Sequence, residues 1–300
     1  MNARVDYDVD PETTWSFSAG YAGLEGIFTS PAGPTTMEPG TLHAFGKVDW
    51  TRRSMRVTAF MNHDGYEGKF LLGNVPTTTS DQTYNIDFTD TRLAGERHIL
   101  TYGGNFRLNT YDNDLARDAE NRDSYGLFLQ DDLQISEALR LVVGARWDYI
   151  DPMGNAISPR ASLLITPWRD QQFRVSYNRA FQSPSALQNY IDFPGVSLIT
   201  FPDFNNPDSG ETVIVPILTS SKGSTGLEAK KLDAFEVGWF GRVGNRATLR
   251  IDGYWNEYRN AFQYVPSEFY SASNPPPGWP FDPGLLDGPL ANAIPSQVVS

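Results

Sequence analysis

About eleven segments of the chain alternate, residue by residue, between an apolar and a polar face, and most run to about ten residues. The clearest is Leu139 to Tyr149. Leu139, Leu141, Val143, Ala145, Trp147 and Tyr149 share one face, and Arg140, Val142, Gly144, Arg146 and Asp148 share the other. The same period of two runs through Trp15 to Gly23, Leu42 to Trp50, Met55 to Met61, Tyr84 to Asp90, Ile99 to Asn109, Ser124 to Ile135, Arg160 to Pro167, Phe173 to Phe181, Leu232 to Phe240 and Ala247 to Tyr258. Globular strands are usually about five or six residues long. A strand that crosses a bilayer at a tilt needs about 9 to 11.

The connections sharpen this reading. Short turns at Thr51 to Ser54, Arg92 to Arg97, Ser136 to Ala138, Trp168 to Gln171 and Gly241 to Arg246 alternate with much longer links. The long ones are Leu24 to Thr41, Asn62 to Thr83, Thr110 to Asp123, Ile150 to Ser158, Gln182 to Lys231 and the stretch after Arg259. In an antiparallel up-and-down sheet this puts every tight turn at one end and every long loop at the other, the asymmetry of an outer-membrane barrel. Aromatics gather at strand ends (Trp50, Trp147, Tyr149, Trp168, Trp239, Phe240, Trp255), where a membrane interface favours amphipathic rings. Full charges lie in mid-strand on the polar faces (Asp87, Arg174, Arg250, Asp252), which suits a wide water-filled lumen. The fold expected is all-β: part of an antiparallel up-and-down transmembrane β-barrel, in preference to a soluble β-sandwich.

Composition excludes several function classes. A net charge of -12 argues against nucleic acid as a partner. The absence of cysteine removes disulfides and thiolate metal sites. His43, His63 and His98 lie in separate segments without metal-ligand spacing, and no nucleophile elbow, P-loop or dinucleotide fingerprint occurs. His63-Asp64 would suit a hydrolase site, but turn and solvation roles are commoner. No cofactor is expected. The loop Tyr111 to Asp123 carries Asp112, Asp114, Asp118, Glu120 and Asp123, dense enough for Ca²⁺ but without EF-hand spacing, so a solvated acidic loop is favoured.

Between Tyr125 and Ser185, the runs YGLFLQDDLQISEALRLVVGARWDY, ISPRASLLITPW and FRVSYNRAFQSPS resemble the barrel of TonB-dependent outer-membrane receptors, as does GLEAKKLDAFEVGWFGRVGNRATLRIDGYWNEYRNAF. The matching motifs are Gln130-Asp131-Asp132, Arg146-Trp147-Asp148, Ser158-Pro159-Arg160 and Phe181 to Ser185. Gln182 stands where the family often has Arg, and Ala229-Lys230 where it often has Pro-Glu. The resemblance implies a non-enzymatic transport receptor of the Gram-negative outer membrane that captures a large, scarce nutrient of the siderophore, cobalamin or oligosaccharide class. The implied partners are outer-membrane lipid and lipopolysaccharide, the extracellular ligand, and the TonB complex acting through a plug domain. With no recognisable plug and an odd strand count, residues 1–300 read as part of one barrel domain, with the plug and C-terminal strands absent. A passive porin, a barrel enzyme and a soluble carbohydrate-binding β-protein are the competing readings.

Strand parity selects the lumen-facing residues near the loop end as candidate ligand contacts: Asn62, Arg107, Asp148, Asn178, Asn256 and Tyr258, with Tyr66 and Tyr190 above them. The loop aromatics Phe193, Phe201 and Phe204 and the segment Ser267 to Gly284 suit ligand stacking or internal loop packing equally. Arg179 interrupts the outward apolar row Phe173, Val175, Tyr177 and Phe181, and is expected at the outer membrane interface rather than in a packed core.

Overall fold

The fold was taken from a computed structural model, which describes residues 1–30, 33–71, 74–244 and 246–299. The chain opens with β1 (Asn2–Asp10) and β2 (Thr13–Gly23), then a short hairpin of β3 (Gly26–Ser30) and β4 (Gly33–Met37). Eight strands follow: β5 (Leu42–Arg52), β6 (Met55–Phe70), β7 (Val75–Ala94), β8 (His98–Thr110), β9 (Arg122–Ser136), β10 (Leu139–Ile150), β11 (Gly154–Trp168) and β12 (Gln171–Gln182). A loop excursion carries α1 (Ala186–Tyr190), β13 (Asp192–Pro202) and β14 (Thr212–Lys222). The path then returns through β15 (Lys230–Val243) and β16 (Ala247–Arg259), and β17 (Val265–Phe269) and β18 (Pro295–Val299) come last.

The main sheet runs β1-β2-β5-β6-β7-β8-β9-β10-β11-β12-β15-β16, each strand antiparallel to the next, with β4 attached to β6. All eleven expected segments are strands of this wall. A twelfth, β1, lies outside the expected segments, although Ala3, Val5, Tyr7 and Val9 alternate with Asp6, Asp8 and Asp10. The short turns are tight: Arg53, Gly95, Asp170 and Gly244 all sit at positive φ, as hairpins compatible with strand twist require. β1 and β16 pair on one side only, so the sheet is an open wall and not a closed barrel.

Residues directly opposite one another share a face, so the register tests the parity. Trp15, Trp50, Val57 and Phe88 form one continuous row, and Tyr177 and Phe235 another, with ring centroids 5.0 Å apart. This outward face is apolar and uncovered: Leu127 is 60% exposed, Ile251 63% and Trp255 71%. Soluble monomers rarely expose a contiguous apolar surface of this extent. Lipid is the solvent that matches it.

The register also climbs. The direct partners Thr91, Thr101, Gln130, Gly144, Arg160, Asn178, Ala234 and Asn256 run from a residue near the short turn at Ala94 to one near the loop-side end of β16. Seven strand spacings cover about 34 Å. At a strand tilt of about 40° that is roughly 22 Å of height, close to the ~25 Å apolar band of such barrels. The stagger is that of a tilted barrel wall.

The buried apolar cluster of the described residues lies outside the wall. Phe201, Val215, Ile217, Phe281, Leu286 and Ile294 pack between a second sheet, ordered β13-β14-β18-β17, and the segment before β18. The long links therefore hold folded structure that the sequence reading did not place. One consequence separates this fold from a soluble sandwich. Leu127→Arg is expected to cost about 2–4 kcal/mol in urea unfolding of the protein in lipid vesicles, the penalty for a mid-bilayer cation. At an exposed site of a soluble protein the same change would fall within about 0.5 kcal/mol.

Candidate functional site: the inner wall and its loops

The inner face of β7 to β10 carries a polar ladder of two hydrogen-bonded groups. Arg146 and Asp148, two apart on β10, point the same way, and the guanidinium donates through Nε to both Asp148 oxygens at 2.9 Å. Its Nη2 also donates to Asn105 Oδ1 at 2.5 Å. This clamp needs Gly126, since a Cβ there would collide with Arg146 Nη2, Asn105 Oδ1 and Asp148 Oδ1. One strand over, Arg107 Nε donates to Asn85 Oδ1 at 3.0 Å, and Asn85 Nδ2 donates to Asp87 Oδ2 at 2.5 Å. Carboxylates and amides thus fix the arginines by bonds to their edges.

Beside the ladder, Phe128, Gln130, Arg146, Ser158, Arg160 and Asn178 line a cleft of about 360 Å³ on the wall. Arg160 is exposed and has no carboxylate partner among the described residues. With Asn178, its direct partner across β11 and β12, it offers an unspent charge and an amide to a polar ligand.

The eight candidate residues do not meet at one point. Arg107, Asp148 and Asn178 are spread across the middle of the inner wall. Asp148 is only 6% exposed and already held by Arg146, so it orients the ladder more than it offers a contact. Asn62 and Tyr66 lie on β6, where the Tyr66 hydroxyl donates to the Thr36 carbonyl at 2.7 Å and its ring meets Phe28 edge-on. Asn256 and Tyr258 lie on β16, with the Lys230 ammonium 5.3 Å from the Tyr258 ring centroid. Tyr190 ends α1 in the loop excursion, and burial raises its hydroxyl pKa. A twelve-strand wall separates such residues around a circumference, which strand parity alone does not measure.

Sequence reasoning passed over Arg122. It is buried at the start of β9, where Nη1 donates to the Pro184 carbonyl at 2.7 Å and Nη2 to Asn189 Oδ1 at 2.6 Å. The Asn189 amide in turn donates to the Ser224 carbonyl. Ser185 and Gln188 close a capping box on the same short helix. One arginine therefore ties the 182–231 excursion to the wall. The only signal in sequence was a charge at a strand boundary.

The loop aromatics resolve toward internal packing: Phe193 meets Phe70 at 4.8 Å, and Phe201, Phe204, Trp279 and Phe281 stack edge-to-face with one another. The acidic loop is used as a tether. Asp114 Oδ2 accepts from both the backbone and the hydroxyl of Thr78, and Ser80 N donates to the Asp112 carbonyl at 2.7 Å. His43 Nδ1 lies 2.6 Å from Asp64 Oδ1, pairing the carboxylate considered for a hydrolase site. Among the described residues, no group of three His, Asp or Glu side chains is arranged to hold a metal ion.

The family model of the TonB dependent receptor-like β-barrel matches residues 2–278. The fold is that of a transmembrane barrel wall, and the chain belongs to this family of β-barrels. No curated protein sequence matches it. Solved structures do: a ferric enterobactin receptor variant of Pseudomonas aeruginosa (TM-score 0.65, 16% identity, 90% of this chain), the siderophore receptor PirA of the same species (0.63, 15%, 86%) and the FrpB iron transporter of Neisseria meningitidis (0.61, 14%, 87%). The chain spans 44%, 44% and 45% of those structures, respectively.

The loop end makes a pH prediction. Asp81 lies directly opposite Asp64, beyond the apolar part of β7. Burial first, and then the Asp64 and Asp112 charges, push its carboxyl up to about 6, against a hydrogen bond from the Asp112 backbone. A carboxyl raised on folding favours the protonated folded state, so this contact is most stable below pH ~4 and weakens as pH rises through about 6. Amide exchange at Ser80 and Asp114 should therefore speed up between pH 4 and 6, beyond the intrinsic trend. Asp81→Asn should abolish that extra dependence.

Proposed function

We propose that the chain forms part of the barrel of an outer-membrane receptor that binds a large iron-chelate ligand at the cell surface and passes it inward with energy delivered by TonB through a plug domain. In this reading residues 1–300 are barrel only, and the plug and remaining strands belong to the rest of the receptor. Family membership and the siderophore and iron receptors among the similar structures support the transport class. The observation that carries it is the pairing of a lipid-facing apolar surface with a polar inner wall, whose cleft leaves Arg160 and Asn178 available. No bond is made or broken. The wall supplies polar contacts, Arg122 holds the loops in place over them, and the plug and TonB supply vectorial release.

The ligand contacts begin with Asn178, Arg160 and Tyr258, which present exposed or half-exposed polar groups, and extend to Arg107 and Asn256. Asp148 and Tyr66 position their neighbours. In the receptor that carries this chain, Arg160→Ala, Asn178→Ala and Tyr258→Ala are each expected to weaken binding of the transported ferric chelate about tenfold, or ~1.4 kcal/mol. Binding is checked by titration, and uptake by growth on that chelate as sole iron source. Unchanged affinity in all three removes the site assignment. Uptake that persists without TonB favours the passive porin.

A further inference from the structure

Three strands of the outward face change character at the same level. On β12, β15 and β16 the direct partners are Val175, Val237 and, one strand further, Gly253. Next come Tyr177, Phe235 and Trp255, then Arg179, Asp233 and Glu257, and last Phe181, Lys231 and Arg259. Two rows of charge thus follow immediately on an aromatic row, on the surface that faces lipid. The step from the last aromatic row to the first charged one is two residues, about 7 Å along the strand.

Asp233 organises these rows. It is 3% exposed and accepts from the Tyr177 hydroxyl at 2.6 Å, from Arg179 Nε at 2.7 Å and Nη2 at 3.2 Å, and from Arg259 Nη2 at 3.0 Å. Arg259 Nε donates to Glu257 at 3.0 Å. One buried carboxylate therefore holds two guanidiniums side by side, where unaided they would repel. Among the described residues, Lys231 has no ion-pair or hydrogen-bond partner, and the Nη1 groups of Arg179 and Arg259 have no acceptor. Three cations face out against two carboxylates, in a chain whose net charge is -12. Arg179, expected at the outer interface, thus stands in a charged cluster of the outward face rather than alone.

We propose that Arg179, Lys231 and Arg259, held on Asp233, bind a phosphate of an outer-leaflet lipopolysaccharide headgroup. The chemistry fits. Planar guanidiniums with free edges and a nearby ammonium recognise phosphate oxygens by charge-assisted hydrogen bonds. The Tyr177, Phe235 and Trp255 rings below them meet the upper acyl chains. The proposal rests on the reading that the long loops are extracellular, which makes this end of the wall the outer leaflet.

The test uses the receptor that carries this chain, in nanodiscs, with thermal unfolding as readout. Bisphosphorylated lipid A is compared with a dephosphorylated lipid A of the same acyl chains, and with inorganic phosphate added to phospholipid discs. The variants are Lys231→Gln, which breaks no internal pair, and Lys231→Gln/Arg259→Gln. Lys47→Gln, an inner-face change, is the control. The proposal expects stabilisation by the bisphosphorylated lipid alone, reduced at least threefold in apparent affinity in the double variant, partly reduced in Lys231→Gln, and unchanged in the control. Equal stabilisation of all variants overturns it and leaves the cluster as internal ion pairs. Full stabilisation by inorganic phosphate overturns the lipid assignment. Stabilisation that is lost with EDTA assigns the effect to a cation bridging Glu257 and lipid, and also overturns it. Absence of the receptor from the outer membrane would refute the functional reading itself, and is read separately by membrane fractionation.

Discussion

A backbone N–H or C=O that faces hydrocarbon without a partner costs several kcal/mol, and the main sheet is arranged around that cost. Long strands pair edge to edge across twelve positions, so the ladder satisfies the backbone through the height of the membrane. Once the backbone is satisfied, the side chains on the two faces are free to diverge. The outward row can be as apolar as lipid, and the inward row as charged as water permits. Along the β1 to β16 path of the described residues, β1 and β16 each have a neighbour on one side, and an unpaired edge is the feature a membrane barrel must close.

This arrangement inverts the usual position of the core. The wall has almost no buried apolar side chains of its own, since its apolar residues point to lipid. The buried cluster around Ile217 and Phe281 stands in the loops, where water surrounds the chain on all sides and burial must come from within. Arg122 joins the two regions with bonds from a wall strand to the Pro184 carbonyl and to Asn189. The site is therefore a composite. Wall residues are placed by register, and loop residues by a small folded unit held down at a buried guanidinium.

The wall was legible in sequence because period-two alternation is a local signal and tight turns announce themselves by position. Even the outward facing of Arg179 followed from counting. β1 escaped because three aspartates outweighed its alternation, and β13 and β14 escaped because they pair with each other inside one long excursion and β14 with the distant β18, between turns with no regular spacing. The inner clamps were less legible. Arg146-Asp148 is visible as an i, i+2 pair, but Asn105 and the space at Gly126 come from other strands and need the register. That Tyr66 and Asp148 are already engaged could not be read from parity, which gives direction and not partners. The loop aromatics stood open between stacking and packing until their mutual contacts were known.

The placement of the wall in the membrane turns on β12, whose odd-numbered residues face lipid up to Tyr177 and the polar interface from Arg179 onward. The chain contains no cysteine, so single cysteines can be placed at each position from Phe173 to Gln182 and spin-labelled in the membrane-embedded receptor. Collision with oxygen, which partitions into lipid, should peak at 173, 175 and 177. Collision with a water-soluble nickel chelate should peak at 174, 176 and 178, and should replace oxygen as the dominant relaxer at 179 and 181. A flat profile, or one in which the odd positions are shielded from oxygen and chelate alike as in a packed protein core, would contradict the account.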